Sequence, residues 1–200
     1  MKLSVRRISI IGMLGALSII LGLTPLGFIP IPFSLTKATI MHIPVIIGAV
    51  IEGPLVGAFV GLIFGVFSMY QAAVMPTSPV QVVFLDPVVA VLPRILIGLA
   101  SYYTYVGVKK LLITRMKSDI PAVMVAAIVG TATNTLGVLS LIYARHLATF
   151  AEKLSLPVAA AKGILIGIGT TQGIPETIVA VIIVTAVVRG IQKLNRQTMS

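Results

Sequence analysis

An all-α integral membrane protein, a six-transmembrane-helix bundle with both termini cytoplasmic, is the fold class that three observations predict. First, 58% of the 200 residues are hydrophobic and only 10% charged, with mean hydropathy +1.11. So little polar surface cannot cover an apolar chain in water; the matching solvent is a lipid bilayer. Second, the apolar residues fall into runs, and a chain of this length holds about five or six helices of ~20 residues. Third, the basic residues sit asymmetrically at the ends of those runs. Lys2, Arg6, Arg7, Lys109, Lys110, Arg115, Lys117, Arg189, Lys193 and Arg196 fall on one side of a six-span path. Lys37, Arg145, Lys153 and Lys162 fall on the other. The richer side is the cytoplasmic one.

The elements follow in order. Residues 8–23 form the first span. Lys2, Arg6 and Arg7 ahead of it also suit a signal peptide, but Thr24, Pro25, Leu26 and Gly27 make a poor cleavage site, so the helix is expected to be retained. In residues 24–36, Pro25, Pro30 and Pro32 forbid regular helix. The second segment, 38–51, spans about 21 Å as helix and cannot cross a ~30 Å core alone. Glu52, Gly53 and Pro54 turn the chain into the third, 55–70. An irregular stretch at 71–85 carries Pro76, Thr77, Ser78 and Pro79. The fourth span is 86–108 and the fifth 120–144. A polar amphipathic stretch, 145–162, precedes the sixth, 163–188. One membrane domain, 1–200, accommodates them all, and no internal repeat is visible.

Composition also excludes chemistry. With no cysteine and two distant histidines, His42 and His146, no disulfide, metal site or thiol nucleophile is expected. No catalytic residue and no cofactor is expected either. The formal charge of +10 forms no stripe, which argues against nucleic acid. No phosphate-cradling G-x-x-x-x-G-K-[ST] motif occurs, so ATP hydrolysis by that route is excluded.

Arg94 is the sharpest candidate. It lies about 12 Å below the outer end of its span, where an unpaired charge costs several kcal/mol. Asn134 and Gln172 fall at ~13–15 Å on two other spans. Three polar groups at one level suggest a wet pocket open to the outside. Arg94 would hold an anionic group there, and Asn134 and Gln172 would bond hydroxyl or amide groups. The competing reading is a private network, with Arg94 paired to Glu176. Gly167, Gly169, Gly173 and Pro175 are expected to loosen the sixth helix nearby, with Glu176 anchoring the break. His42 and Lys37 are further candidates for contact with a ligand, although an interhelical hydrogen bond explains the first and topology the second. Asp86 reads as an N-cap that could rim the site. The two proline-rich stretches read equally as lids or as plain connections. Gly12 and Ala16, with Gly15 and Ser18 widening a smooth face, read by themselves as packing within the bundle. Gly57, Gly61 and Gly65 read the same way.

The string from Thr39 through His42, Pro44 and Gly48 to Ala49, then Glu52-Gly53-Pro54 to Ala58, resembles the substrate-binding S components of energy-coupling-factor (ECF) vitamin transporters. So does Gln172-Gly173-Ile174-Pro175-Glu176 ahead of an apolar helix and basic tail. The likeness covers nearly the whole chain and is nearest to the pantothenate-type branch. It implies a subunit that captures a vitamin at its outer side and then docks on a transmembrane coupling subunit bound to two ATPase subunits. The whole subunit topples there to release its ligand inside. It also makes Gly12 and Ala16 an intersubunit contact, because they resemble that family's first-helix Ala-x-x-x-Ala surface. Pantothenate's carboxylate would suit Arg94. Other vitamins or precursors, such as a pyridoxine-like ligand or hydroxymethylpyrimidine, remain open. A self-sufficient secondary transporter would need an ion-coupling site, for which Glu176 alone is thin. A membrane enzyme would need a catalytic pair that the spacing does not offer.

Overall fold

A computed structural model of the protein describes residues 4–29, 38–76, 78–112 and 118–197. Lys2, Pro30, Pro32, Lys37, Thr77, Arg115 and Lys117 lie outside those residues. Ser4 begins helix α1, Val5–Leu23, by accepting the Arg7 amide on its hydroxyl. Pro25 stops continuation, and strands β1, Phe28–Ile29, and β2, Ala38–Thr39, pair antiparallel, Phe28 opposite Thr39. Helix α2, Ile43–Glu52, carries Pro44 in its first turn, where a missing N–H costs nothing. It ends at Gly53, whose φ of +107° only glycine adopts freely. Helix α3 is Pro54–Val74, and a 3-10 segment, Pro79–Leu85, follows. Asp86 caps the short α4, Pro87–Ala90, by accepting the Val88 amide. Then come α5, Leu92–Leu112, α6, Ile120–Arg145, α7, Leu147–Lys153, and α8, Val158–Gln197.

Among the described residues, five stretches are long and apolar enough to cross a membrane: Val5–Leu23, Pro54–Val74, Pro87–Leu112, Ile120–Arg145 and Val158–Leu194. The ten residues of α2 span only ~15 Å. Eight of them, Ile43 to Val50, are buried, so α2 is an internal helix apolar on every side.

Several expectations need correction. The fourth span is broken at Val91, because Pro93 lacks the amide that would bond the Val89 carbonyl. The sixth helix is not broken at Pro175; α8 runs through it for 40 residues, about 60 Å. Prolines are tolerated inside such helices where neighbours re-satisfy the freed backbone. The helix also starts at Val158, inside the stretch read as amphipathic, and α3 runs one turn beyond its expected end. Gly15 and Ser18 do not share the outward face of Gly12 and Ala16: both are buried against the bundle, and a Cβ on Gly15 would stand 2.7 Å from Ile63.

Helices α3 and α5 run antiparallel with their backbones in contact. A Cβ on Gly61 would strike the Arg94 carbonyl, and one on Gly57 would lie 2.9 Å from the Gly98 Cα. The apolar interior divides in two. A base cluster gathers α2, α3, the middle of α5, the first half of α6 and the end of α8, including Ile46, Phe64, Ile97 and Val184. A cap cluster gathers Val83 and Val89 with Val138 and Ile142 of α6, Phe150 of α7 and Leu165 of α8.

Candidate functional site

The residue that organises the site owes its position to the proline before it. Pro93 leaves the Val89 carbonyl without an α-helical donor, and Arg94 Nη1 takes that oxygen at 2.8 Å. Gly61 brings α3 against the Arg94 backbone, which puts Phe64, three residues on, beneath the guanidinium. On α6, Asn134 and Thr135 face the same space. On α8, Gln172 and Glu176 stand one turn apart and do so as well.

These side chains line one cavity of about 280 Å³ lying between the base and cap clusters. Its walls mix aromatic and aliphatic side chains with a few polar groups, the usual composition of a small-molecule site. Arg94, Asn134 and Gln172 are 6%, 7% and 8% exposed. Each keeps a buried polar atom without a hydrogen-bond partner: Arg94 Nε, Asn134 Oδ1 and Gln172 Nε2. Leaving such atoms unpaired costs roughly 1–3 kcal/mol apiece. A ligand offering an anion, a donor and an acceptor would recover that cost.

Arg94 is not paired to Glu176; no ion pair joins them among the described residues. Glu176 Oε1 instead accepts the Thr39 amide at 2.6 Å and Oε2 accepts the Thr135 hydroxyl at 3.1 Å. That carboxylate ties β2, at the foot of the first loop, to α6 and α8 (an anchor, though not for a helix break). His42 is fully buried with Nε2 3.0 Å from Thr131 Oγ1, and it is not among the cavity-lining residues. Its imidazole links α2 to α6 instead. Gly12 and Ala16 lie on the outer face of α1, and a Cβ on Gly12 would meet nothing within 4 Å.

Thr39, Gln71, Phe84 and Thr135 also line the cavity, although their positions in the sequence do not single them out as site residues. Gln71 also donates to the Gly22 carbonyl at 3.0 Å, binding α3 to the end of α1. A polar residue at the end of an apolar run was the available signal for Gln71, and adjacency to Asn134 in mid-span was the signal for Thr135. None existed for Phe84. Asp86 is not among the cavity-lining residues; its Oδ2 accepts from Arg145 Nε and lies against His146 Nε2, both at 2.8 Å, joining the head of α4 to the junction of α6 and α7. The His146 hydrogen bond, then that of Arg145, holds the Asp86 carboxyl at about 2, below its ordinary 3.8.

A helical membrane bundle with a small, partly polar cavity and unpaired ligand-facing chemistry defines a membrane protein that holds a small solute. The chain belongs to the family "ECF transporter, substrate-specific component", whose model matches residues 6–188. It is therefore a transport component rather than an enzyme, and a multi-pass membrane protein. It is 34% identical over 176 residues to the pantothenic acid transporter PanT of Lactococcus lactis subsp. cremoris (strain MG1363), with 81% of each chain covered. Over 76 residues it is 38% identical to the pantothenate transporter PanT of Leuconostoc mesenteroides subsp. mesenteroides, 37% of each chain. A solved S component of a bacterial ECF transporter shares the fold at TM-score 0.60 and 20% identity, covering 94% of this chain and 96% of that one.

Proposed function

We propose that this chain captures pantothenate at the outer face of the cell membrane and delivers it inward as the S component of an ECF transporter. The observation that carries the reading is the convergence of Arg94, Asn134 and Gln172 on one cavity, each with an unpaired buried polar atom. Arg94 meets the carboxylate; Asn134 and Gln172 meet the amide and hydroxyls. The names of the two relatives support that ligand. A volume of 280 Å³, at the small end of the roughly 300–1,000 Å³ usual for such sites, favours a compact vitamin over a polycyclic one. Lys37, next in sequence to the β2 strand that Glu176 anchors, is assigned to the site by its charge alone; His42 supports the site from behind.

The topology follows from charge. The ends bearing Arg6, Lys109, Lys110, Arg189 and Lys193 face the cytoplasm, both termini with them, and the cavity opens outward. In this reading α2 counts as the sixth membrane helix. Gly12 and Ala16 dock on the transmembrane coupling subunit, two ATPase subunits supply ATP hydrolysis, and toppling of the S component releases the vitamin inside.

The test is calorimetric titration of purified protein with pantothenate. One-to-one binding is expected, and Arg94→Ala should weaken it at least ~30-fold, as truncating one member of a buried charge pair does. Unchanged affinity in a folded Arg94→Ala variant removes Arg94 from the site, and a different co-purified ligand found by native mass spectrometry overturns the choice of vitamin.

A further inference from the structure

The Arg94 guanidinium carbon lies over two phenyl rings, 5.3 Å from the Phe64 centroid and 5.1 Å from that of Phe84. Rings at this distance attract a cation through the negative face of the π system, more strongly where water is excluded. The two rings are held differently. Phe64 is 1% exposed within the base cluster on α3. Phe84 is half-buried on the 3-10 segment between α3 and α4 and packs on the cap. No carboxylate stands in ion-pairing range of Arg94 among the described residues, and the Val89 carbonyl and these rings are in direct contact with the buried cation.

Resting on the reading that the ligand carboxylate meets Arg94, we propose that Phe84 is the positioning residue that sets the cavity's selectivity for a carboxylate. When the 79–85 segment lies over the cavity, the Phe84 ring fixes and desolvates the guanidinium. When the segment lifts, the cation regains water and the anion site is dismantled. Phe84 offers the ligand no polar contact of its own, so its whole effect on charge selection passes through Arg94. A neutral ligand of the same shape gains only apolar packing from the ring, which lines the cavity.

The experiment titrates purified protein with pantothenate and with panthenol, its neutral alcohol counterpart. It uses wild type, Phe84→Leu, and chains with mono-, di- and trifluorinated phenylalanine at position 84. Fluorine withdraws electron density from the ring with little change of shape, so a purely packing role is blind to it. Pantothenate affinity should fall stepwise with fluorination and by about 3- to 30-fold in Phe84→Leu. Panthenol affinity should change less than about twofold on fluorination, and in Phe84→Leu it should fall less than pantothenate affinity does. Indifference of pantothenate binding to fluorination, or equal losses for both ligands, overturns the proposal. A wild type that binds both ligands equally sinks the Arg94–carboxylate reading as well. A wild-type preference for pantothenate that survives intact in Phe84→Leu sinks the Phe84 proposal alone.

Discussion

Pro93 and Arg94 act as a unit. The proline withholds an amide hydrogen from Val89, and the arginine beside it supplies a guanidinium hydrogen instead. Pro93→Ala would return a backbone donor to that carbonyl and let α4 and α5 fuse. Thermal stability should stay level or rise while pantothenate affinity falls about tenfold, since a hydrogen bond to a charged group is worth ~1.5–3 kcal/mol. Asp86 gives a second prediction at this scale. Its folded value, about 2, lies below the ordinary 3.8, so the stability it contributes is complete above about pH 4. That contribution disappears as pH falls through about 2. Asp86→Asn should lower the melting temperature at neutral pH and flatten its decline between about pH 4 and 2, measured by thermal denaturation across pH. A decline as steep as the wild type's would deny Asp86 that role. That Arg94, Asn134 and Gln172 line one cavity could be anticipated from sequence because helical rise is fixed. The side of the helix each presents was harder to read, and the Phe84 ring comes from a connection with no period at all.

At the scale of elements, glycine sets the separation of α3 and α5, and with it the size of the cavity. Gly61→Leu would drive a side chain into the Arg94 backbone; overpacking of this kind costs ~1–3 kcal/mol and displaces the guanidinium. The expected result is a folded but less stable protein with no measurable pantothenate binding, and retained wild-type affinity would refute the close approach. Apolar runs and basic clusters placed α1, α3 and α6 in the sequence within a few residues. Prolines misled twice, in opposite directions. Pro93 breaks its helix at Val91 although the run looked continuous, while Pro175 sits inside an unbroken α8. Whether a freed carbonyl finds another donor is decided by neighbours distant in sequence, and so it escapes local reading. The two-residue strands β1 and β2 left no alternation to detect.

At the scale of the molecule, α1 is the outlying helix. Only 17% of its apolar window is buried, against 56% for α3. Its glycines divide between two faces, Gly15 and Gly22 inward and Gly12 outward with Ala16. Gly12→Leu and Ala16→Leu should therefore leave folding and pantothenate affinity unchanged, because a side chain on Gly12 meets open space. In the proposed docking role both should abolish uptake in cells, and normal uptake would reject that role. The length of the apolar runs made the helical membrane architecture legible, because it depends on composition and hardly on packing. The division of the interior into base and cap could not be read, since each cluster draws residues from four or more elements.

That division has a kinetic consequence. The 3-10 segment and α7 can loosen without disturbing the contacts that α2, α3 and α5 make with one another, so the opening draws on local rather than global stability. Amides of residues 79–85 and 147–153 should exchange with deuterium before those of the α3–α5 pair, and a bound vitamin should slow the first group selectively. A guest could then come and go many times within the lifetime of one folded chain.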